Sequence, residues 1–145
     1  MIIRKATIDD ISGIFSLVKD LAAYENASDQ VTIDEDYYKE SFNNGLFESL
    51  VAEHDGEILG TCIYYRTFST WKGKMLYLED FVVKEEFRQA GIGQKLYNHL
   101  LQVAQSENYT MVKWQVLDWN EPAIKFYEKN NATIDKEWWN CKVIF

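Results

Sequence analysis

The sequence predicts a single mixed α/β domain, a mixed sheet with helices on its faces. Three observations carry this. Apolar residues recur at helical spacing in Ile11, Ile14, Phe15, Val18, Leu21 and Ala22, and again in Ile92, Leu96, Leu100, Val103 and Ala104. Strand-like runs at 50–53 and 58–66 meet at Asp55-Gly56, a strong hairpin signal. A further run reads strand (75–83), charged turn (84–88), glycine-bearing loop and then helix (94–106). With 145 residues, the chain fits one domain spanning 1–145. At that size roughly 68–70% of the unfolded surface is buried, enough for a core without staples.

In order, residues 2–6 suit a short strand. Thr7 with Asp10 three positions on is a capping-box variant that starts the first helix, which runs to about Tyr24-Glu25. Thr32-Ile33-Asp34-Glu35 is a second capping box, opening a short helix through about Phe42 that Asn43-Asn44-Gly45 breaks. After the hairpin, residues 67–74 read as a loop. Beyond the main helix, 110–117 alternates as a strand. Asn120 is a good cap and Pro122 fits the first turn of a helix over 123–129, with Asn130-Asn131 as its left-handed stop. Residues 132–135 and 138–145 close as strands. The order is therefore β-α-α-β-β-β-α-β-α-β-β.

Composition narrows the function classes. Five Trp, nine Tyr and eight Phe favour strands and a binding groove. A net charge of -8 argues against nucleic acid, whose binding is driven by Lys and Arg, and suits attraction of cations into a cleft. Cys62 and Cys141 form no disulfide framework, and His54 and His99 have no spaced partner for a metal, so no metal is expected. No run approaches the ~18 apolar residues of a membrane span, and no signal-peptide core is seen, so a cytoplasmic protein is expected.

The strand–loop–helix run carries the chemistry. A helix that begins after a glycine loop points unpaired N–H groups and a partial positive charge at the loop, which makes an anion site for phosphate. Here Arg88-Gln89-Ala90-Gly91-Ile92-Gly93 offers R-x-x-G-x-G. There is no third glycine for a dinucleotide fingerprint and no Walker A lysine. By spacing alone, a plain helix start with two permissive glycines also fits.

These elements and Arg88-x-x-Gly91-x-Gly93 together resemble the GNAT superfamily of acetyl-CoA-dependent N-acetyltransferases, over the whole chain. Leu21-Ala22-Ala23-Tyr24-Glu25, Trp71-Lys72-Gly73-Lys74, Leu76-Tyr77-Leu78-Glu79-Asp80-Phe81 and the run from Trp119-Asn120-Glu121-Pro122-Ala123 to Tyr127 look like the diamine (spermidine/spermine) acetyltransferase branch. The resemblance implies a central mixed, mostly antiparallel sheet flanked by helices, and acetyl-CoA as co-substrate. The backbone of Phe81, Val82 and Val83 would pair with the pantetheine arm like an added strand. Gln89, Ala90, Gly91, Ile92, Gly93 and Gln94 would hold the pyrophosphate, and Arg88, which opens the motif, would bind it or only steer the anion from solvent. Asn120, Glu121, Pro122 and Ala123 would touch the cofactor from the other side. The amine would be met by Tyr24, Glu25, Glu79, Lys113, Trp114, Gln115 and Glu137. A homodimer with the active site near the interface is implied too. The turn at Asp55-Gly56 is shorter than the branch pattern, which bears on dimer geometry and on amine length.

In chemical terms the reaction is acyl transfer to an amine. An alkyl amine with a pKa near 10.4 is neutral in only about one molecule in two thousand at pH 7, so its proton must be removed. Glu79 is the candidate to bind the ammonium and accept that proton through water, a role worth roughly 10²–10⁴-fold. Asp80 competes for it, because adjacent strand residues face opposite ways and only one enters the cleft easily. A backbone N–H of Phe81 or Val82 would stabilise the oxyanion. Tyr127 matches the family's proton donor to the departing thiolate. Polyamines lead as acceptors. Thialysine or a lysine-like amino acid, a protein amine, and a non-catalytic acetyl-CoA-binding module are the alternatives.

Overall fold

A computed structural model describes residues 1–145, and the chain divides into two compact units, 1–114 and 115–145. The first holds a five-stranded sheet in the order β1 (Ile2–Lys5), β2 (Glu48–His54), β3 (Glu57–Ser69), β4 (Gly73–Val83) and β5 (Met111–Lys113). All neighbours are antiparallel except β4 and β5, which run parallel. The mixed, mostly antiparallel sheet with flanking helices is thus present. No helix is long and apolar enough to cross a membrane.

Local chemistry explains most boundaries. Helix α1 (Ile11–Tyr24) follows a single 3-10 turn at Ile8–Asp10. There the Asp10 carboxylate accepts from Thr7 N–H at 2.7 Å and takes two bonds from Arg4 at 2.7 and 2.9 Å. Strand β1 is thereby tied to the start of α1. Helix α2 (Glu35–Asn43) is capped by Asp34, which accepts from Tyr37 N–H at 2.9 Å, so the cap lies two residues beyond the expected Thr32. Asp55 and Gly56 both have positive φ (50° and 78°), as a type I′ hairpin requires. Residues expected to loop out at 67–74 instead extend that sheet: Ser69 pairs with Gly73, and its Oγ accepts from Trp71 and Lys72 N–H at 3.3 and 3.0 Å. Side-chain acceptance of both N–H groups is what lets so short a turn close.

Two cores lie on opposite faces of the sheet. Helix α3 (Ile92–Ser106) buries Ile92, Leu96, Leu100 and Ala104 against Leu50, Cys62, Tyr64, Leu76 and Leu78. Helix α1 buries Ile11, Ile14, Leu17 and Val18 against Val51, Ile58, Ile63 and Val82, with Tyr38, Phe42 and Phe47 packed at the margin. Cys62 is fully buried, and burial pushes its thiol pKa up.

The second unit contains α4 (Glu121–Lys129). Asn120 caps it by accepting from Ala123 N–H at 3.4 Å, and Asn131 takes φ 62° just past its end, as expected. The two closing strands expected over 132–135 and 138–145 do not form, and the strand expected over 110–117 is confined to Met111–Lys113. β-propensity reports fit to a pleated, half-buried surface, and a strand also needs a ladder partner. Residues 138–145 have none, and Trp138, Trp139, Val143, Ile144 and Phe145 are exposed. Asp135 instead holds a local turn, accepting from Glu137 N–H at 3.2 Å and Trp138 Nε1 at 2.7 Å.

Candidate active site

Strand β4 positions the site, and an irregularity in it decides which side chains meet. Opposite β3, Leu78 pairs with Tyr64 and Asp80 with Ile63, so Glu79 is the extra residue of a bulge. Before the bulge, Leu76 and Leu78 face the α3 core. After it, Phe81 and Val83 face that core, while Val82 faces α1. Asp80, across from Ile63, lies on the α1 face. Glu79 is on the same side, because Tyr65, which follows the α3-facing Tyr64, donates its hydroxyl to Glu79 Oε2 at 2.8 Å. The strict alternation expected of Glu79 and Asp80 therefore fails. The bulge inserts one residue, and both carboxylates share one face.

Glu25 completes the cluster from the end of α1. Burial pushes the Asp80 carboxyl up to about 6, reinforced by the negative charges of Glu79 and then Glu25. Burial also raises Glu25. Tyr38, on α2, is driven up to about 12 by burial and by Asp80 and Glu79. Tyr77 stacks on Tyr65 with ring centroids 5.5 Å apart, and burial lifts both phenols. Three carboxylates thus lie within electrostatic reach of one another beside Tyr38, Tyr65 and Tyr77, with Asp80 the most shielded from water. Sequence reasoning missed Tyr38, Tyr65 and Tyr77. Tyr65 and Tyr77 are cross-strand partners, a relation visible only once the register is known.

The backbone of β4 supplies a second feature. β5 pairs only with Met75, Leu76 and Tyr77, so no strand lies against β4 from Leu78 to Val83 on that side. Lys84 N–H bonds Leu59 C=O at 2.8 Å, which sets the alternation of the β3–β4 ladder. Lys84, Val82 and Asp80 then direct their backbone groups at β3, while Phe81 and Val83 direct theirs at the open side. Of the three residues expected to pair with a pantetheine arm, Phe81 and Val83 are oriented for it. Val82 is turned into the ladder, so Phe81 rather than Val82 offers an N–H there.

Below this edge, Gly91 caps α3 with φ 80° and no side-chain cap, and Gln89 also has positive φ (65°). The helix begins at Ile92, two residues before the expected Gln94. A Cβ on Gly93 would touch Phe81 at 3.6 Å and Val83 at 3.9 Å, so the helix start sits close against β4. The N–H groups of the first turn and the helix dipole aim out of this loop, a fit for a pyrophosphate.

A cleft of about 420 Å³ lies between α1 and the end of β4, lined by Leu17, Asp20, Ala23 and Tyr24 of α1, Val82 and Val83 of β4, and Lys84, Glu85, Glu86 and Arg88 of the turn. Arg88 Nε donates to Val83 C=O at 3.1 Å, and its guanidinium lies 5.4 Å from the Tyr24 ring centre. Tyr24, expected to touch the amine, lines this cleft with Arg88. Lys113 is exposed on β5, whereas Trp114 packs into the α3 core with its ring 6.0 Å from that of Tyr97. Gln115, Asn120, Glu121, Pro122, Ala123, Tyr127 and Glu137 belong to the second unit. Within that unit Tyr127 is buried, Glu137 is exposed, and Gln115 donates to Asn140.

Strand β4 is thus bulged and open along one edge, and the turn after it leads to a helix N-terminus without a side-chain cap, a geometry that fits an extended, phosphate-bearing acyl donor. The sequence profile of the Acetyltransferase (GNAT) family matches residues 14–132, and the chain belongs to that family. It is an enzyme that transfers acetyl to an amine. Among relatives, thialysine N-epsilon-acetyltransferase of Bos taurus is 38% identical, over 97% of this chain and 90% of its own. Spermidine/spermine N(1)-acetyltransferase-like protein 1 of Homo sapiens is 34% identical over 90% of this chain but only 20% of its own length. An aminoglycoside acetyltransferase from an uncultured soil metagenomic sample shares the fold, with a TM-score of 0.83 at 19% identity over 99% of this chain and 95% of that one.

Proposed function

We propose that this enzyme moves acetyl from acetyl-CoA to a primary amine of a small polycation, a diamine or polyamine. The observation that carries the reading is the convergence of Glu25, Glu79 and Asp80 on one face beside Tyr38, Tyr65 and Tyr77. Like charges in a partly buried site raise one another's cost, and a cation removes that cost. An ammonium 4 Å from one carboxylate gains about 4 kcal/mol at an effective dielectric near 20. Glu25 adds to this, since a carboxylate at the negative end of a helix is unfavourable until a cation arrives.

Acetyl-CoA, when bound, supplies the thioester carbonyl and a thiol leaving group. The chain's own parts divide the work. The open groups of Phe81 and Val83 align the donor arm, and the Gly91–Gly93 start of α3 holds its phosphates. Phe81 N–H, turned to the open side, would be the donor to charge developing on the carbonyl oxygen. Glu79, held by Tyr65, takes the ammonium and receives its proton through water. Asp80 binds the same cation from the neighbouring position. Tyr127 would be the proton donor to the leaving sulfur by the family pattern alone. We infer a cytoplasmic homodimer.

A second reading follows from the 38% identical relative, whose name makes thialysine its substrate. Such an amino acid brings an α-carboxylate, which the three acidic groups repel. The experiment is calorimetric titration of spermidine into wild type, Glu79→Gln and Asp80→Asn, each saturated with CoA. The proposal expects each variant to bind at least tenfold more weakly. Equal affinity in all three contradicts it.

A further inference from the structure

Strand β5 is short, and one of its residues sits where the two reactants must meet. Val112 pairs with Leu76 and packs into the α3 core, so Met111 and Lys113 turn to the other face, that of Glu79 and Asp80. Tyr65, Tyr77 and Lys113 form one row across β3, β4 and β5. Lys113 is also the last residue of β5 paired with β4, and the open edge of β4 begins just beyond it, at Leu78. Two residues along β4 and one strand across, Glu79 is roughly 8 Å from it along the sheet. Lys5, Lys39 and Lys84 each pair with a glutamate, and Lys74 donates to Glu107 C=O at 2.7 Å. Lys113 is exposed and has no such partner, although two carboxylates share its face.

We propose that Lys113 sets the reactivity of the acceptor: it stands across from Glu79 at the mouth of the open edge and favours the neutral form of the amine that enters between them. The inference rests on the proposed acetyl transfer to an amine and deepens it. A donor held at Gly91 and Gly93 and along Val83 and Phe81 points its acyl end toward that mouth. The amine arrives among groups that hold its proton. Glu25 of α1 and Glu79 and Asp80 of β4 attract an ammonium and, by the same attraction, oppose its deprotonation. Tyr38 of α2, Tyr65 of β3 and Tyr77 of β4 are phenols that burial and those carboxylates keep neutral. Lys113 is the sheet's one unpaired cation on that face. A like charge makes an ammonium easier to deprotonate, and the proton leaves through water to Glu79. The contact expected between Lys113 and the amine is therefore repulsive. It raises the energy of the bound ammonium and leaves the neutral, attacking amine untouched, so its effect divides between KM and kcat.

The test compares spermidine binding and turnover in wild type, Lys113→Met and Lys113→Arg across neutral and alkaline pH. Calorimetry on CoA-saturated Lys113→Met at pH 7 should find spermidine bound about threefold tighter, the reverse of the loss expected in Glu79→Gln. In the same variant kcat should fall about threefold at pH 7. The midpoint of its rise with pH moves up by about half a unit, as expected for removing a partly screened charge roughly 8 Å away. The two changes cancel in kcat/KM, which should stay within about twofold of wild type. Lys113→Arg keeps the charge and should keep the wild-type affinity and midpoint. Equal or weaker spermidine binding in Lys113→Met overturns the proposal. So does an unmoved midpoint, or an arginine variant that behaves as the methionine one. If CoA binds and spermidine binds to none of the three proteins, the amine reading of the carboxylate cluster fails, and the proposal falls with it.

Discussion

The Tyr65 hydroxyl donates to Glu79 Oε2 at 2.8 Å across the β3–β4 ladder, fixing the carboxylate expected to receive the substrate's proton. Glu79 reaches the face of Tyr65 by plain alternation from Tyr77, and the bulge brings Asp80 to that face as well. Tyr65→Phe frees Glu79 while keeping the stacked ring on Tyr77. The expected loss in kcat is about three- to tenfold, roughly 1 kcal/mol for a partly exposed bond to a charged group. CoA affinity, measured by calorimetry, should not change.

Asp80 gives the enzyme a pH signature. Its pKa stands at about 6 in the folded protein, against an ordinary aspartate value of 3.8. Cation binding needs the ionised form, so kcat/KM for an amine should rise through pH 6, and Asp80→Asn should abolish that limb. Stability runs the other way. Between pH 3.8 and about 6 the folded state holds a proton that the unfolded state has released, so stability falls as pH rises across that window. Asp80→Asn should flatten this fall in denaturant melts taken at pH 4 and pH 7. A variant with the wild-type slope would show that Asp80 is not the titrating group.

Asp10 is the opposite case. Hydrogen bonding to Arg4 holds its carboxyl below the usual range, against burial, with help from Thr7. Its contribution is present above the unfolded pKa of 3.8 and lost as pH falls below it. Asp10→Asn leaves Arg4 and the N–H of Thr7 poorly matched, and should cost about 1–3 kcal/mol in urea unfolding at pH 7. At pH 2 the gap between variant and wild type should be smaller than at pH 7.

Gly91→Ala tests the donor loop. Nothing lies within 4 Å of an added Cβ, so only the backbone suffers. At φ 80° a side chain costs about 1–2 kcal/mol, and the start of α3 should shift or loosen. CoA affinity should fall about tenfold, with amine binding in the absence of CoA unaltered.

Much of this was legible in the sequence. Helical spacing found α1 and α3, Asp55-Gly56 found the hairpin, and Asn120 with Pro122 found α4, because each signal is local. The glycine loop and the Leu76–Phe81 string pointed to the family, and the open edge of β4 gives that expectation a geometric basis. What escaped depends on pairing. A bulge leaves no trace in composition, so strict alternation set Glu79 and Asp80 on opposite faces. Tyr65 and Tyr77 are far apart in sequence and become neighbours only through register. The apolar run 138–145 reads as a strand, but a strand requires a partner that its own residues cannot name.

The most direct measurement is a thiol-release assay with acetyl-CoA and a panel of acceptors: spermidine, spermine, putrescine, thialysine, lysine and a lysine-bearing peptide. The three carboxylates predict that kcat/KM is highest for a polyamine or diamine and falls for every acceptor that carries a carboxylate. A thialysine or peptide preference, or turnover of none of them while acetyl-CoA binds, would contradict the account.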